Sequence, residues 1–188
     1  VPYARDRSGH AVTEALAPIL RADPGIARLL QTLAEARRWD CWADPFQDRA
    51  AFDAYLDATS GNLMWAAARA LGAAPDTEPA IRDFAWGAGL AQWLRAAAEL
   101  EARGRVPFID GRPETLASLA AEGRGRIARA RATGIPAPAC PALWPGATAA
   151  ATLRLAERAP ARIASGTLTP SDFRKRATLL WRALTGTF

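Results

Sequence analysis

The chain has little of what most catalytic centres are built from. Its 188 residues include one histidine, His10, and two cysteines, Cys41 and Cys140. A single near-terminal histidine assembles neither a zinc site nor a Ser-His triad, so most hydrolase and zinc chemistry drops out together. The cysteines form no Cys-x-x-Cys pair, and two free thiols in an intracellular helical protein are the simplest account. Lysine is nearly missing too, Lys175 being the only one, so the formal net charge of +5 rests on arginine. Acids are interleaved with those arginines, as in Glu99 and Arg103 or Glu157 and Arg158. The densest group, Arg124, Arg126, Arg129 and Arg131, scatters around a helix at helical spacing, which reads as a solvated face before a patch for phosphate or an acidic partner. No pattern of aromatic plus basic residues occurs, and no nucleic-acid partner is expected. No apolar run approaches the roughly twenty residues of a membrane span. No charged n-region precedes an apolar core at the start. A cytoplasmic protein is expected, with any membrane contact peripheral.

Helix is what remains. Half of the residues are hydrophobic, so the chain is not disordered and one domain spanning 1–188 can bury a core. Alanine is abundant, β-branched residues are sparse, and no segment alternates with period two, which favours helix over strand. Proline and glycine divide the helices. A first helix is predicted over 12–22, strained at Pro18. A second starts from Asp23-Pro24-Gly25 and runs to Arg37, with Ile26, Leu29, Leu30 and Leu33 as its apolar stripe. After a break over 39–47, Asp48 caps a long helix that ends at Gly72. Glu78-Pro79 opens the next, to about Arg103. Pro113-Glu114 opens another, reaching Arg131. Residues 134–141, with three prolines, form a corner. Helices are then predicted over 142–158 and from a Thr169-Pro170 cap to Leu184. Most of the seven tryptophans are expected in the core.

The 87–105 segment carries the most information. It reads Gly87-Ala88-Gly89-Leu90-Ala91-Gln92-Trp93-Leu94-Arg95-Ala96-Ala97-Ala98-Glu99-Leu100-Glu101-Ala102-Arg103-Gly104-Arg105. It resembles the second signature of the squalene/phytoene synthase family, with Leu94-Arg95, Glu99 and Gly104-Arg105 in place. Ala96 and Leu100 stand where the family has two aspartates. By that resemblance the aspartates hold the magnesium that draws diphosphate from a prenyl substrate. Alanine and leucine ligate nothing, while magnesium demands oxygen ligands. Glu99 keeps one carboxylate, and Arg95 four residues earlier is its expected ion-pair partner. Other stretches are similar to the same family: Tyr55 through Gly61 and Met64 to Leu71-Gly72, the acidic segment Glu35-Ala36-Arg37-Arg38-Trp39-Asp40, and Leu168 through Leu184.

The resemblance implies an all-α, isoprenoid-synthase-like antiparallel helical bundle, with the N-terminal helices that carry the family's first aspartate motif missing upstream of Val1. Asp6 is the only carboxylate in residues 1–9 and does not replace that motif. The remnant catalytic positions are Tyr55, Arg95, Glu99 and Arg105, and no catalytic or metal site is expected from them. Gly61, Gly87 and Gln92 are the expected cavity-lining positions. The small residues Ala58, Ser60, Ala66, Gly89 and Ala91 serve close helix packing equally well. Leu94-Arg95-Ala96, Gln92 three residues before Arg95, and Ala139-Cys140-Pro141-Ala142-Leu143 are most similar to the branch of complex I assembly factors. The resemblance therefore implies a catalytically degenerate helical binding or assembly protein. Its expected partners are a prenyl-lipid-sized ligand or a membrane-complex subunit, and no cofactor is expected. Two other readings stay open. One is an active head-to-head prenyl transferase, with Mg as its cofactor and Glu99, Asp40 or an upstream motif supplying the ligands. The other is a peripheral membrane or protein-interaction module.

Overall fold

The structure is a computed structural model that describes residues 11–188. His10, Asp6 and the rest of residues 1–9 lie outside the described residues. Nine α-helices and no strand occur among those described, as the composition predicts. They are α1 (Ala11–Ala22), α2 (Pro24–Arg37), α3 (Arg49–Leu56), α4 (Asn62–Ala70), α5 (Glu78–Ala102), α6 (Pro113–Thr133), α7 (Ala149–Arg158), α8 (Ala161–Ala164) and α9 (Asp172–Thr185).

The caps follow the local chemistry. Asp23 accepts from the Gly25 N–H at 2.9 Å with Pro24 at the first helical position, and α1 runs unbroken through Pro18. Asp48 accepts from the Ala51 N–H at 2.8 Å and starts α3. A π-helical turn, Asp57–Gly61, joins α3 directly to α4, so Arg49 to Ala70 is one helical rod with a wide turn in it. Such turns insert a residue into the ladder and re-aim the side chains beyond them. Gly72, at φ 85°, ends the rod.

α5 is the axis of the fold. A helix buried on all sides must be apolar on all sides. Thirteen of its residues are buried, among them Ile81, Phe84, Leu90 and Leu94. Its neighbours come close because small residues meet. A Cβ on Gly89 would lie 2.5 Å from the Ser60 Oγ, and one on Gly146 2.7 Å from Phe84. The α6 contacts run antiparallel: Asp83 pairs with Arg126 and Arg129, Gly87 faces Gly123 and Ile127, and Leu90 faces Gly123. The Tyr55 rod is antiparallel to α5 as well, with Tyr55 against Trp93, Ser60 against Gly89 and Asn62 against Arg82. The two long rods therefore pack as neighbouring core helices.

Several expectations need correction. Residues Ala137–Gly146 form a 3₁₀ stretch, and α7 begins only at Ala149, because Pro141 and Pro145 interrupt the α-helical ladder. Ser171 rather than Thr169 caps α9, its Oγ accepting from the Arg174 N–H. Of the tryptophans only Trp65, Trp86 and Trp93 are buried, while Trp42 and Trp181 are exposed. Only Ile26 of the α2 stripe is fully buried. Both cysteines are free, Cys41 exposed and Cys140 buried, and burial pushes the Cys140 thiol pKa up.

Candidate functional site

Gly104 organises the end of α5. It sits at φ 76°, where glycine carries no steric penalty, and its N–H donates to the Glu101 carbonyl at 2.9 Å. The Arg105 N–H donates to the Leu100 carbonyl at 3.0 Å, completing a Schellman closure. This turn delivers the Arg105 side chain onto the 3₁₀ segment Arg38–Cys41. Its guanidinium lies 4.3 Å from the Trp39 ring centroid and donates to the Asp40 carbonyl at 3.0 Å and the Trp39 carbonyl at 3.4 Å. Trp39 stacks on Phe46 at 3.9 Å with a 7° tilt between rings. Trp93, Phe52 and Tyr55 close the aromatic group around them. The indole N–H of Trp93 donates to the Pro107 carbonyl at 2.9 Å.

Tyr55 joins this group through its hydroxyl. The O–H donates to Asp40 Oδ1 at 2.7 Å and accepts from Arg37 Nη1 at 3.0 Å, and Arg37 also donates to Asp40 Oδ2 at 3.1 Å. Burial first, then the hydrogen bond to Asp40, raises the Tyr55 pKa well above its ordinary value. The phenol therefore stays protonated and holds Asp40 in place. It is not poised as a base. Two motif positions thus come together, Tyr55 and Arg105, on either side of Trp39-Asp40.

The other motif positions do not join them. Glu99 pairs with Arg103 at 2.7 Å, not with Arg95, and both partners are exposed, at 66% and 71%. Such a pair adds at most about 1 kcal/mol. Ala96 is exposed, and Leu100 is half-buried and packed against the core. The Arg95 Nε is buried with no acceptor among the described residues. Among those residues no three His, Cys, Asp or Glu side chains group as a metal site would require. The donor set on α5 does not fit magnesium, which needs carboxylates aimed at one point.

A cavity beside the aromatic group is an open groove of about 480 Å³. Phe46 and Phe52, Pro107 and Phe108 from the connector, and Leu116 and Leu119 of α6 give it an apolar floor. Its size falls within the range of small-molecule pockets. Arg49 and Glu122 form a charged rim, paired at 2.8 Å. Burial alone would raise the Glu122 carboxyl pKa, but hydrogen bonds from Arg49 and Arg126 outweigh it and hold that pKa below its ordinary value. Gly61, Gly87 and Gln92 do not line this groove. Gly61 faces Asp57 and Arg82, Gly87 faces α6, and Gln92 is exposed. Sequence reasoning singled out none of the groove's apolar residues. Their signal was the i, i+3 spacing of Leu116 and Leu119, which looks like any amphipathic helix start.

Comparison with protein families adds a direct finding. A sequence model described as squalene/phytoene synthase matches residues 2–108, more than half of the chain. The chain belongs to the squalene/phytoene synthase family. The matched part takes in α1 to α5 and Gly104-Arg105, while the similarity seen over 168–184 lies beyond it. The all-helical architecture is consistent with the all-α fold of that family. Searches of curated proteins and of solved structures give no match. No described helix is long and apolar enough to cross a membrane.

Proposed function

We propose that this family member is catalytically degenerate and acts as a helical binding or assembly protein, of the kind the complex I assembly factors represent. The observation that supports this is the state of the second signature. Ala96 and Leu100 offer no oxygen, and the one remaining carboxylate, Glu99, is committed to Arg103 at the surface. Magnesium in this family would neutralise the departing diphosphate, a task that takes several carboxylate oxygens acting together. The aromatic strap of Tyr55, Asp40 and Arg105 keeps its partners, so the fold persists where the charge set does not. The apolar groove at Phe46, Phe52 and Leu116 suits the hydrocarbon part of a lipid-sized ligand.

One observation favours the alternative, a Mg-dependent prenyl transferase: the buried Arg95 Nε without an acceptor among the described residues, which a phosphate oxygen could satisfy. A turnover assay separates the two. With labelled farnesyl or geranylgeranyl diphosphate and Mg²⁺, the full-length protein is expected to form no C30 or C40 product above a no-protein control. Ala96→Asp with Leu100→Asp is expected to restore none, because metal clamps act as a unit. In cells lacking the protein, both the wild type and Glu99→Ala are expected to rescue complex I assembly on native gels equally. Product formation, or rescue that depends on Glu99, overturns the reading.

A further inference from the structure

α9 is built inside out. Its Lys175, Thr178 and Arg182, spaced three and four residues apart, are the half-buried side, while its large apolar residues point away from the protein. Phe173 is 83% exposed, Leu180 61%, Trp181 66% and Leu184 75%. At 3.6 residues per turn these four, with Ala177, form one stripe opposite the half-buried polar side. No residue of α9 is buried. The helix is nevertheless held firmly at both ends. Leu168 is 1% exposed ahead of it, and Phe188 behind it packs edge-on against Phe84 at 5.3 Å. Arg131 and Arg182 both donate to the Phe188 carbonyl, and Trp144 donates to the Thr187 carbonyl at 3.2 Å. The protein thus presents an apolar stripe about 17 Å long, at 1.5 Å per residue, on a fixed platform.

Charge identifies what the stripe meets. Arg174 and Arg176 flank it on its two sides, and α9 carries four basic residues against a single acid. That acid, Asp172, is already paired with Lys175 at 3.0 Å. A second copy of the chain laid on this face would bring like-charged arginines together. An anionic lipid surface receives both features. Acyl chains take the apolar side chains, Trp181 suits the boundary between chains and headgroups, and arginine forks bind phosphate. Fourteen residues carrying five charges cannot span a bilayer, so the helix lies in the plane of the surface.

We propose that α9 is an in-plane docking helix for an anionic membrane surface, inserting Phe173, Leu180, Trp181 and Leu184 with Arg174 and Arg176 against lipid phosphates. The proposal is independent of whether the chain turns over prenyl diphosphates. The test is co-sedimentation of the full chain with phosphatidylglycerol/phosphatidylcholine vesicles and with pure phosphatidylcholine vesicles. Binding is expected to the first and to be at least tenfold weaker to the second. Leu180→Ser with Leu184→Ser is expected to lower the partition coefficient at least tenfold. Arg174→Gln and Arg176→Gln should each lower it about fivefold and reduce its salt dependence. Leu63→Ser, at an exposed apolar residue on α4, should leave it unchanged. Brominated lipid should quench tryptophan emission in the wild type and far less in Trp181→Phe. Circular dichroism of each variant checks that it is folded. No vesicle binding, or binding unchanged by the α9 variants in folded protein, overturns the proposal. So does a dimer in sedimentation equilibrium that Leu180→Ser dissolves in a protein that binds no vesicles, since the stripe would then cover a second copy.

Discussion

Gly87 offers the sharpest test of how the two central helices meet. The sequence left its small side chain open to two uses, room for a ligand or close packing. A Cβ built on Gly87 would lie 2.7 Å from Ile127 Cγ1, 2.9 Å from Ile127 Cδ1 and 2.8 Å from the Gly123 carbonyl oxygen. The last contact is with backbone, which cannot swing aside, so α5 and α6 must separate. Overpacking of this sort costs about 1–3 kcal/mol, and a backbone contact belongs in the upper half of that range. Alanine regains about 1 kcal/mol of helix propensity. Gly87→Ala should therefore destabilise the protein by about 1–2 kcal/mol. Gly125, two residues beyond Gly123 and on the other side of α6, is the control. Its nearest neighbour to a new Cβ is Arg129 Nη1 at 4.0 Å, so Gly125→Ala should stabilise by up to about 1 kcal/mol. Urea denaturation followed by circular dichroism reads both, and the pair should differ by about 1–3 kcal/mol. If Gly87→Ala is as stable as the wild type while Gly125→Ala behaves as expected, the helices do not meet here and the ligand-room use regains its ground.

Two further outcomes follow from the aromatic strap. The raised Tyr55 pKa means that above pH 10 the folded state keeps a proton the unfolded chain gives up, so Tyr55 contributes stability that is present below pH 10 and lost as pH rises beyond it. Tyr55→Phe should flatten the fall in urea midpoint between about pH 9 and 11.5, and an unchanged slope would refute burial of the phenol and its hydrogen bond to Asp40 as a source of stability. Arg105→Ala should cost about 1–3 kcal/mol from the lost stacking on Trp39 and the freed carbonyls, and Arg105→Lys should recover less than half, because an ammonium cannot stack flat and bridge two carbonyls together. A lysine variant as stable as the wild type in chemical denaturation would show that the charge alone matters.

Element boundaries were legible wherever punctuation coincided with helix chemistry. Pro79 and Gly104 bracket α5, Asp48 and Gly72 bracket the Tyr55 rod, and Pro113 starts α6. The 3₁₀ stretch over Ala137–Gly146 was half legible, since prolines announce a break but not the residue at which an α-helix resumes. The π-turn was invisible. It is fixed by tertiary packing, where Ser60 and Gly61 meet Gly89 and Arg82 across the interface. The Glu99 partner was open to better reasoning. Arg95 and Arg103 both stand four residues away, and a glutamate N-terminal to its base is the favoured order, which is the pair that forms. The inverted polarity of α9 was also written in its 3.6-residue pattern. What the pattern lacked was which side faces the protein, and that depends on Leu168 and Phe188, both outside the helix.

The motif positions divide by the kind of work they do. Gly104 closes α5, Arg105 clasps Trp39 and Asp40, and Tyr55 holds the same aspartate from the opposite side, so each is fixed by contacts within the chain. Ala96, Glu99 and Leu100 occupy positions whose purpose in the family resemblance lies outside the chain, in a metal and a substrate. A protein that ceased to bind metal would lose nothing in stability by replacing exposed carboxylates with alanine, and would gain by burying part of a leucine at position 100 against the core. It would lose a great deal by changing Tyr55 or Arg105. Under the proposed function this split, with Tyr55 and Arg105 held by partners within the chain and no carboxylate at 96 or 100, is the pattern expected when selection acts on the fold and its surfaces rather than on turnover. An active enzyme would be expected to show the reverse, with α5 carrying clustered, mutually repelling carboxylates that weaken the fold at its own expense.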